Sequence, residues 1–152
     1  MSEIEVRAAT PDDLAALLAL YDELTEGTPS AAPGDRETSR AALDRVLAHP
    51  DRHLLVAVLD GRVVGTADLA ILPNVAHRGT AWGIVENVVV ASEARRRGVG
   101  RAIFGEIERI ARAAGCHKVS LLSGKKRVEA HSFYRSVGYE PFSEGFKLYF
   151  DR

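Results

Sequence analysis

The stretch from Ala81 to Ala114 constrains the fold of this chain more than any other. Ala81 to Ala91 reads as an apolar strand whose run of valines is interrupted by Glu86 and Asn87. The chain then passes through Arg95-Arg96-Arg97 into Gly98-Val99-Gly100. Val99, Ile103, Ile107, Ile110 and Ala114 recur behind the glycines as the apolar stripe of a helix. A strand that feeds a glycine turn at a helix start builds an anion site. The first helical N–H groups have no intrahelical partner, and glycine lets a phosphate come close to the backbone. The helix dipole adds roughly half a positive charge there, and the arginines add whole ones. The pattern predicts a pyrophosphate cradle.

Two familiar phosphate motifs fail on the letters. A dinucleotide fingerprint needs a third glycine where Ile103 stands, and a Walker A loop needs Gly-Lys-Ser/Thr where Gly105 precedes Glu106. Composition excludes other classes. The 20 basic residues are balanced by 21 acidic ones, for a net charge of -1, so no global field draws in nucleic acid. No apolar run approaches the ~20 residues of a membrane-spanning helix, and Met1-Ser2-Glu3-Ile4-Glu5 lacks the features of a signal peptide. Cys116 is the sole cysteine, which implies no internal disulfide and a reducing, cytoplasmic setting. The histidines show no metal-ligand spacing, so no metal is implied. At 152 residues with 46% hydrophobic content, one domain over 1–152 is expected.

Strands and helices alternate along the chain. Ile4 to Ala8 is a strand, and Thr10-Pro11-Asp12-Asp13 opens a helix carrying Leu14, Leu17, Leu18, Tyr21 and Leu24 on its buried face. Gly27 to Gly34 is a loop, and Thr38 to Ala48 a second helix. His53 to Leu59 and Arg62 to Leu72 form a hairpin around Asp60-Gly61. Pro73 to Thr80 connects to the central strand. Gly115 caps the helix behind the glycine turn, Lys118 to Leu122 is a strand, Arg127 to Val137 a short helix, and Pro141 onward a terminal strand or hairpin.

Arg95-x-x-Gly98-x-Gly100 resembles the acetyl-CoA signature of the GNAT superfamily of N-acetyltransferases. Ala130-x-x-Phe133-Tyr134-x-x-x-Gly138-Tyr139 resembles a second motif of that family, with tyrosine in place of the final phenylalanine. The two stand in the family's order with a helix and a strand between them. Glu86-Asn87-Val88-Val89-Val90 and Gly115-Cys116-His117-Lys118-Val119 are nearest to the glucosamine-6-phosphate N-acetyltransferase branch. That branch has Glu-Asp where this chain has Glu86-Asn87, so its substrate does not simply carry over.

The resemblance implies an α/β fold of mixed α+β character. Its sheet would be central, mixed and mostly antiparallel, with about four helices around it. It implies acetyl-CoA as co-substrate, a small-molecule or peptide amine as acceptor, and a homodimer. Acetyl transfer to an amine needs a base, a polarised thioester carbonyl and a proton for the departing thiolate. Glu86 is the candidate base, since a carboxylate in an apolar strand is costly to bury unpartnered and is expected to face a polar cleft. Asn87 is the candidate substrate contact: it orients but cannot act as a base. The Val88 amide would polarise the carbonyl, and the main chain of Val88, Val89 and Val90 would pair with pantetheine like an added strand. Amides of Arg96, Arg97, Gly98, Val99, Gly100 and Arg101 would hold the diphosphate, with at least one of Arg95, Arg96 and Arg97 on the phosphates. Tyr134 would protonate the thiolate. The alternative reading is a non-catalytic acyl-CoA-binding or sensor module, which would bind without turnover. A nucleic-acid module built on the arginines is opposed by the charge balance.

Overall fold

The computed structural model of the chain describes residues 2–25 and 35–150. The loop expected over Gly27 to Gly34 lies outside the described residues. Five strands, β1 (Glu5–Ala8), β2 (Arg52–Leu59), β3 (Arg62–Leu72), β4 (Trp82–Val90) and β5 (Val119–Leu121), form one sheet in chain order. β1 to β4 run antiparallel, and β5 joins β4 in parallel. The helices are α1 (Leu14–Thr25), α2 (Arg36–Ala48), α3 (Val99–Ala113) and α4 (Val128–Ser136). The mixed, mostly antiparallel sheet with its four helices is the architecture the sequence predicts.

The alternating strands bury residues on both faces. Leu54 and Val56 pack on Leu14, Leu17 and Leu43 of α1 and α2. On the opposite face Gly65 lets α3 press close: a Cβ there would meet Ile103 and Val99 at 3.0 Å. Ile103 and Ile107, fully buried, anchor that helix to the sheet. The β2–β3 hairpin turns on Asp60 and Gly61, both left-handed at φ 52 and 76, as a two-residue hairpin turn demands. Gly115, at φ 71, ends α3: its amide donates to the Arg112 carbonyl and the Cys116 amide to Ala111, which closes the helix's last carbonyls.

The start of α1 differs from a simple N-cap. Pro11–Asp13 is a single 3₁₀ turn, and Asp13 folds back to accept the Thr10 amide at 2.8 Å. The Asp13 carboxylate is also gripped by both terminal nitrogens of Arg7, at 2.7 and 3.0 Å. The Arg7 hydrogen bonds hold this carboxyl below its ordinary range, against the opposing effect of burial. A carboxyl depressed in the folded state stabilises above the unfolded value, about pH 4, and that stability is lost as pH falls through the folded value. Asp13→Asn is therefore expected to cost about 1–2 kcal/mol at neutral pH and less in acid. Urea unfolding across the acid range checks both the size and the convergence.

One expectation fails. No strand forms from Pro141 onward among the described residues; 141–149 has no regular structure and Phe142, Phe146, Leu148 and Phe150 are exposed. A strand needs a neighbour to pair with, and the local apolar pattern alone cannot provide one.

Candidate active site

β4 carries the centre of the site, and a bulge shapes it. Asp68 faces Glu86 and Thr66 faces Val89, so Ala67 of β3 stands opposite two residues, Asn87 and Val88. Asn87 takes up the distortion at φ 53, a left-handed conformation asparagine tolerates better than most residues. Glu86 and Asn87 are both exposed. The bulge thus removes the strict alternation that would have turned Asn87 away from Glu86.

At the same place β4 and β5 part. Their pairing ends at Val85 and Leu121, while β4 remains paired with β3 as far as Val90. Residues 86–90 therefore have one edge with no strand beside it. The Ala91 amide donates to Val64 on the β3 side, so by alternation the amides of Val88 and Val90 face the open side. The Val90 carbonyl there is held by the Arg95 guanidinium at 3.2 Å. The result is a wedge one strand wide, open from Glu86 to Val90. Val88, Val89 and Val90 otherwise pack their side chains into the core.

Below the wedge lies the glycine turn. Gly98, at φ 86, precedes the first residue of α3, and Arg96 is also left-handed at φ 62. None of the amides from Arg96 to Arg101 donates to a protein acceptor among the described residues. Six neighbouring donors at a helix start are what an anionic group requires. The arginines divide. Arg95 lies 3.8 Å from Glu23 and Arg97 3.6 Å from Asp60, and Arg101 reaches Ser136. Arg96 has no such partner among the described residues. Gly100 serves another need than close phosphate approach: a Cβ there would come within 2.9 Å of the Phe133 ring.

Tyr134 reaches the region from α4, on the face opposite α1. Its ring is buried against Phe104, centroids 5.6 Å apart, in a group that includes Phe133 and Tyr139. Among the described residues the hydroxyl has no protein partner, and it is not among the buried orphans, so it keeps contact with solvent. Burial raises the Tyr134 phenol above its ordinary value, partly offset by the Arg127 charge, so it is protonated at neutral pH. Tyr139 beside it is pushed up to about 12, first by burial and then by Glu108. His131 of α4 is half-buried and bonds the Gly124 carbonyl at 2.9 Å. Burial pushes the Cys116 thiol up, consistent with a packed rather than a reactive sulfur.

Two further polar residues lie here, of which Asp68 carries no mark in the sequence reading. Asp68, on the same face as Glu86 and directly opposite it, is buried and bound by Arg52 through both carboxylate oxygens. The signal for it was present: Asp68 is a carboxylate in an apolar strand, the argument that singled out Glu86. Ser123, just past β5, has a buried hydroxyl with no partner. It begins Ser123-Gly124-Lys125-Lys126, a Ser-x-x-Lys match on a turn with no companion motifs, which the sequence does not support as a serine nucleophile.

The chain matches the family described as Acetyltransferase (GNAT) family over residues 17–139. It is 30% identical over 151 residues to a glucosamine 6-phosphate N-acetyltransferase of Trypanosoma brucei brucei, covering 96% of this chain and 95% of that protein. A crystal structure of a Trypanosoma brucei acetyltransferase superposes with TM-score 0.82 at 29% identity, covering 97% of this chain and 100% of the other. An aminoglycoside N-acetyltransferase solved in complex with CoA shares the fold, with TM-score 0.79, 19% identity, and coverage of 100% and 97%.

Proposed function

The chain belongs to the acetyltransferase (GNAT) family and is an N-acetyltransferase, and from that premise we propose that it transfers acetyl from acetyl-CoA directly to a primary amine of a small molecule. The observation that carries this reading is the wedge: an open strand edge beginning at Glu86, next to six unpartnered amides. Pantetheine fills the missing strand and the diphosphate takes the amides of 96–101, with Arg96 the guanidinium left to join it. The Val88 amide then meets the thioester oxygen. The amine nitrogen attacks the carbonyl carbon, Glu86 takes the ammonium's proton directly or through water, and Asn87 orients the acceptor. As the C–S bond breaks, Tyr134 gives its proton to sulfur. The second proton leaves the nitrogen as the intermediate collapses and replaces, directly or through solvent, the one Tyr134 gave to sulfur. The products are an amide and free CoA, and solvent accepts the proton on Glu86. The relatives' acceptors, glucosamine 6-phosphate and aminoglycosides, support a small amine as substrate.

A thiol-release assay with acetyl-CoA against amino sugars, polyamines, aminoglycosides and amino acids tests the reading. At least one amine is expected to release CoA in proportion to acetylated product. Acetyl-CoA binding without release for every amine would favour the sensor reading instead.

The same reading includes a homodimer. Phe142, Phe146, Leu148 and Phe150 are 79–93% exposed, too much apolar surface for one short segment of a monomer. Gly145 in this segment passes so close to Leu122, just past β5, that an added Cβ would lie 2.9 Å from its side chain. β5 is the sheet's edge, and a strand from a second copy beside it would cover both. Light scattering is expected to give twice the chain mass, and the double change Phe146→Asp, Leu148→Asp to return a monomer.

A further inference from the structure

An ammonium seated on Glu86 has a second carboxylate within reach. Asp68 stands opposite Glu86 on the neighbouring strand, and side chains so paired have Cβ atoms about 5 Å apart. One ammonium nitrogen can therefore bridge both carboxylates. Glu86 is exposed and has no ion-pair partner among the described residues, whereas Asp68 is 7% exposed. Arg52 approaches from β2, its Nε 3.0 Å from one Asp68 oxygen and a terminal nitrogen on the other. That grip uses two of a carboxylate's roughly four lone-pair sites. The remainder are free to accept.

The position of the pair points beyond a purely structural role. On this face of the sheet the pair lies beside Thr66 and the seam of Leu54 and Val56 under Leu14 and Leu17, and the Arg7–Asp13 pair stands two strands away on β1. Apolar residues of similar volume would hold such a seam at least as well as a buried ion pair. The pair stands instead one strand from Glu86, beside the bulge. Tyr21 of α1 lies over it: burial, and next the Asp68 charge, raise its phenol, which keeps it a hydrogen-bond donor.

Building on the proposed acetyl transfer, we propose that Asp68 is a second carboxylate of the acceptor site, sharing the ammonium with Glu86, and that Arg52 is the positioning residue that fixes its orientation. Glu86 removes one ammonium proton, while Asp68 holds a second N–H and so strengthens the grip on the acceptor. Arg52 keeps the cluster's net charge at one negative, so the site draws in a cation without two bare carboxylates repelling each other.

Asp68→Asn tests this by separating acceptor KM from kcat. With the amine that turns over best, its acceptor KM is expected to rise about tenfold or more, with kcat and the acetyl-CoA KM changing by less than about threefold. The paired change Arg52→Met, Asp68→Leu removes both charges; it is expected to keep near-native thermal stability and yet retain the raised acceptor KM. A native acceptor KM in either variant would overturn the proposal. If the native protein acetylates no amine, the proposed function falls separately, and calorimetric titration of spermidine into the CoA-loaded protein decides this point. Binding about tenfold weaker in Asp68→Asn supports it; equal binding, or none to the native protein, overturns it.

Discussion

Glu86→Gln is expected to lower kcat by about 100-fold or more while leaving acetyl-CoA affinity within about twofold of native. Glutamine keeps the shape and the hydrogen-bonding reach but cannot accept a proton near neutral pH. Glu86 is exposed, so the change removes no packing and thermal stability should not move. Tyr134→Phe is the companion. Its ring is buried among Phe104, Phe133 and Tyr139, and phenylalanine preserves those contacts. The lost hydroxyl has no protein partner among the described residues, so stability should again be unchanged while kcat falls by about tenfold or more. Raising the pH with Glu86→Gln should recover part of the loss, because the neutral fraction of an amine with pKa about 10 rises with pH. Native rates in both variants would remove these two residues from the chemistry.

The second large effect concerns the glycine turn. Gly98→Val and Gly100→Val are each expected to weaken acetyl-CoA binding by about tenfold or more in calorimetry, for different reasons. At φ 86, Gly98 occupies a conformation that a β-branched residue adopts only with strain, although no atom blocks the space a Cβ would take. The turn must rearrange, and with it the run of free amides. Gly100 has ordinary helical backbone, and its Cβ would strike Phe133 instead. The Phe133 ring rests edge-on against Phe104 and adjoins Tyr134, so displacing it disturbs the proposed acid as well as the proposed cradle. Gly100→Val should therefore lower kcat in addition to affinity, and Gly98→Val chiefly affinity. Binding at native strength in both would sink the diphosphate assignment.

What the sequence made legible was local. The β2–β3 hairpin follows from alternation around Asp60-Gly61, and α3 from its apolar stripe between Gly98 and Gly115; both form over nearly the residues expected. The glycine turn was legible too, but not the whole reason for Gly100, because Phe133 comes from a different helix. Nor could the letters divide the arginines: Arg95 and Arg97 are occupied by Glu23 and Asp60, residues distant in the chain. The C-terminal segment has the pattern of a strand without a place in its own sheet. Asp68 was the avoidable omission, since a carboxylate between apolar neighbours is as informative in β3 as in β4. Its partner Arg52 could be found only by pairing β2 with β3.

The parting of β4 from β5 has a cost that falls on the protein rather than on the chemistry. A molecule that leaves room for a missing strand carries exposed peptide groups that any extended polypeptide can latch onto. In the proposed complex, acetyl-CoA doubles as a stopper for that vacancy. Starvation for the metabolite would then threaten not only turnover but the longevity of the catalyst itself.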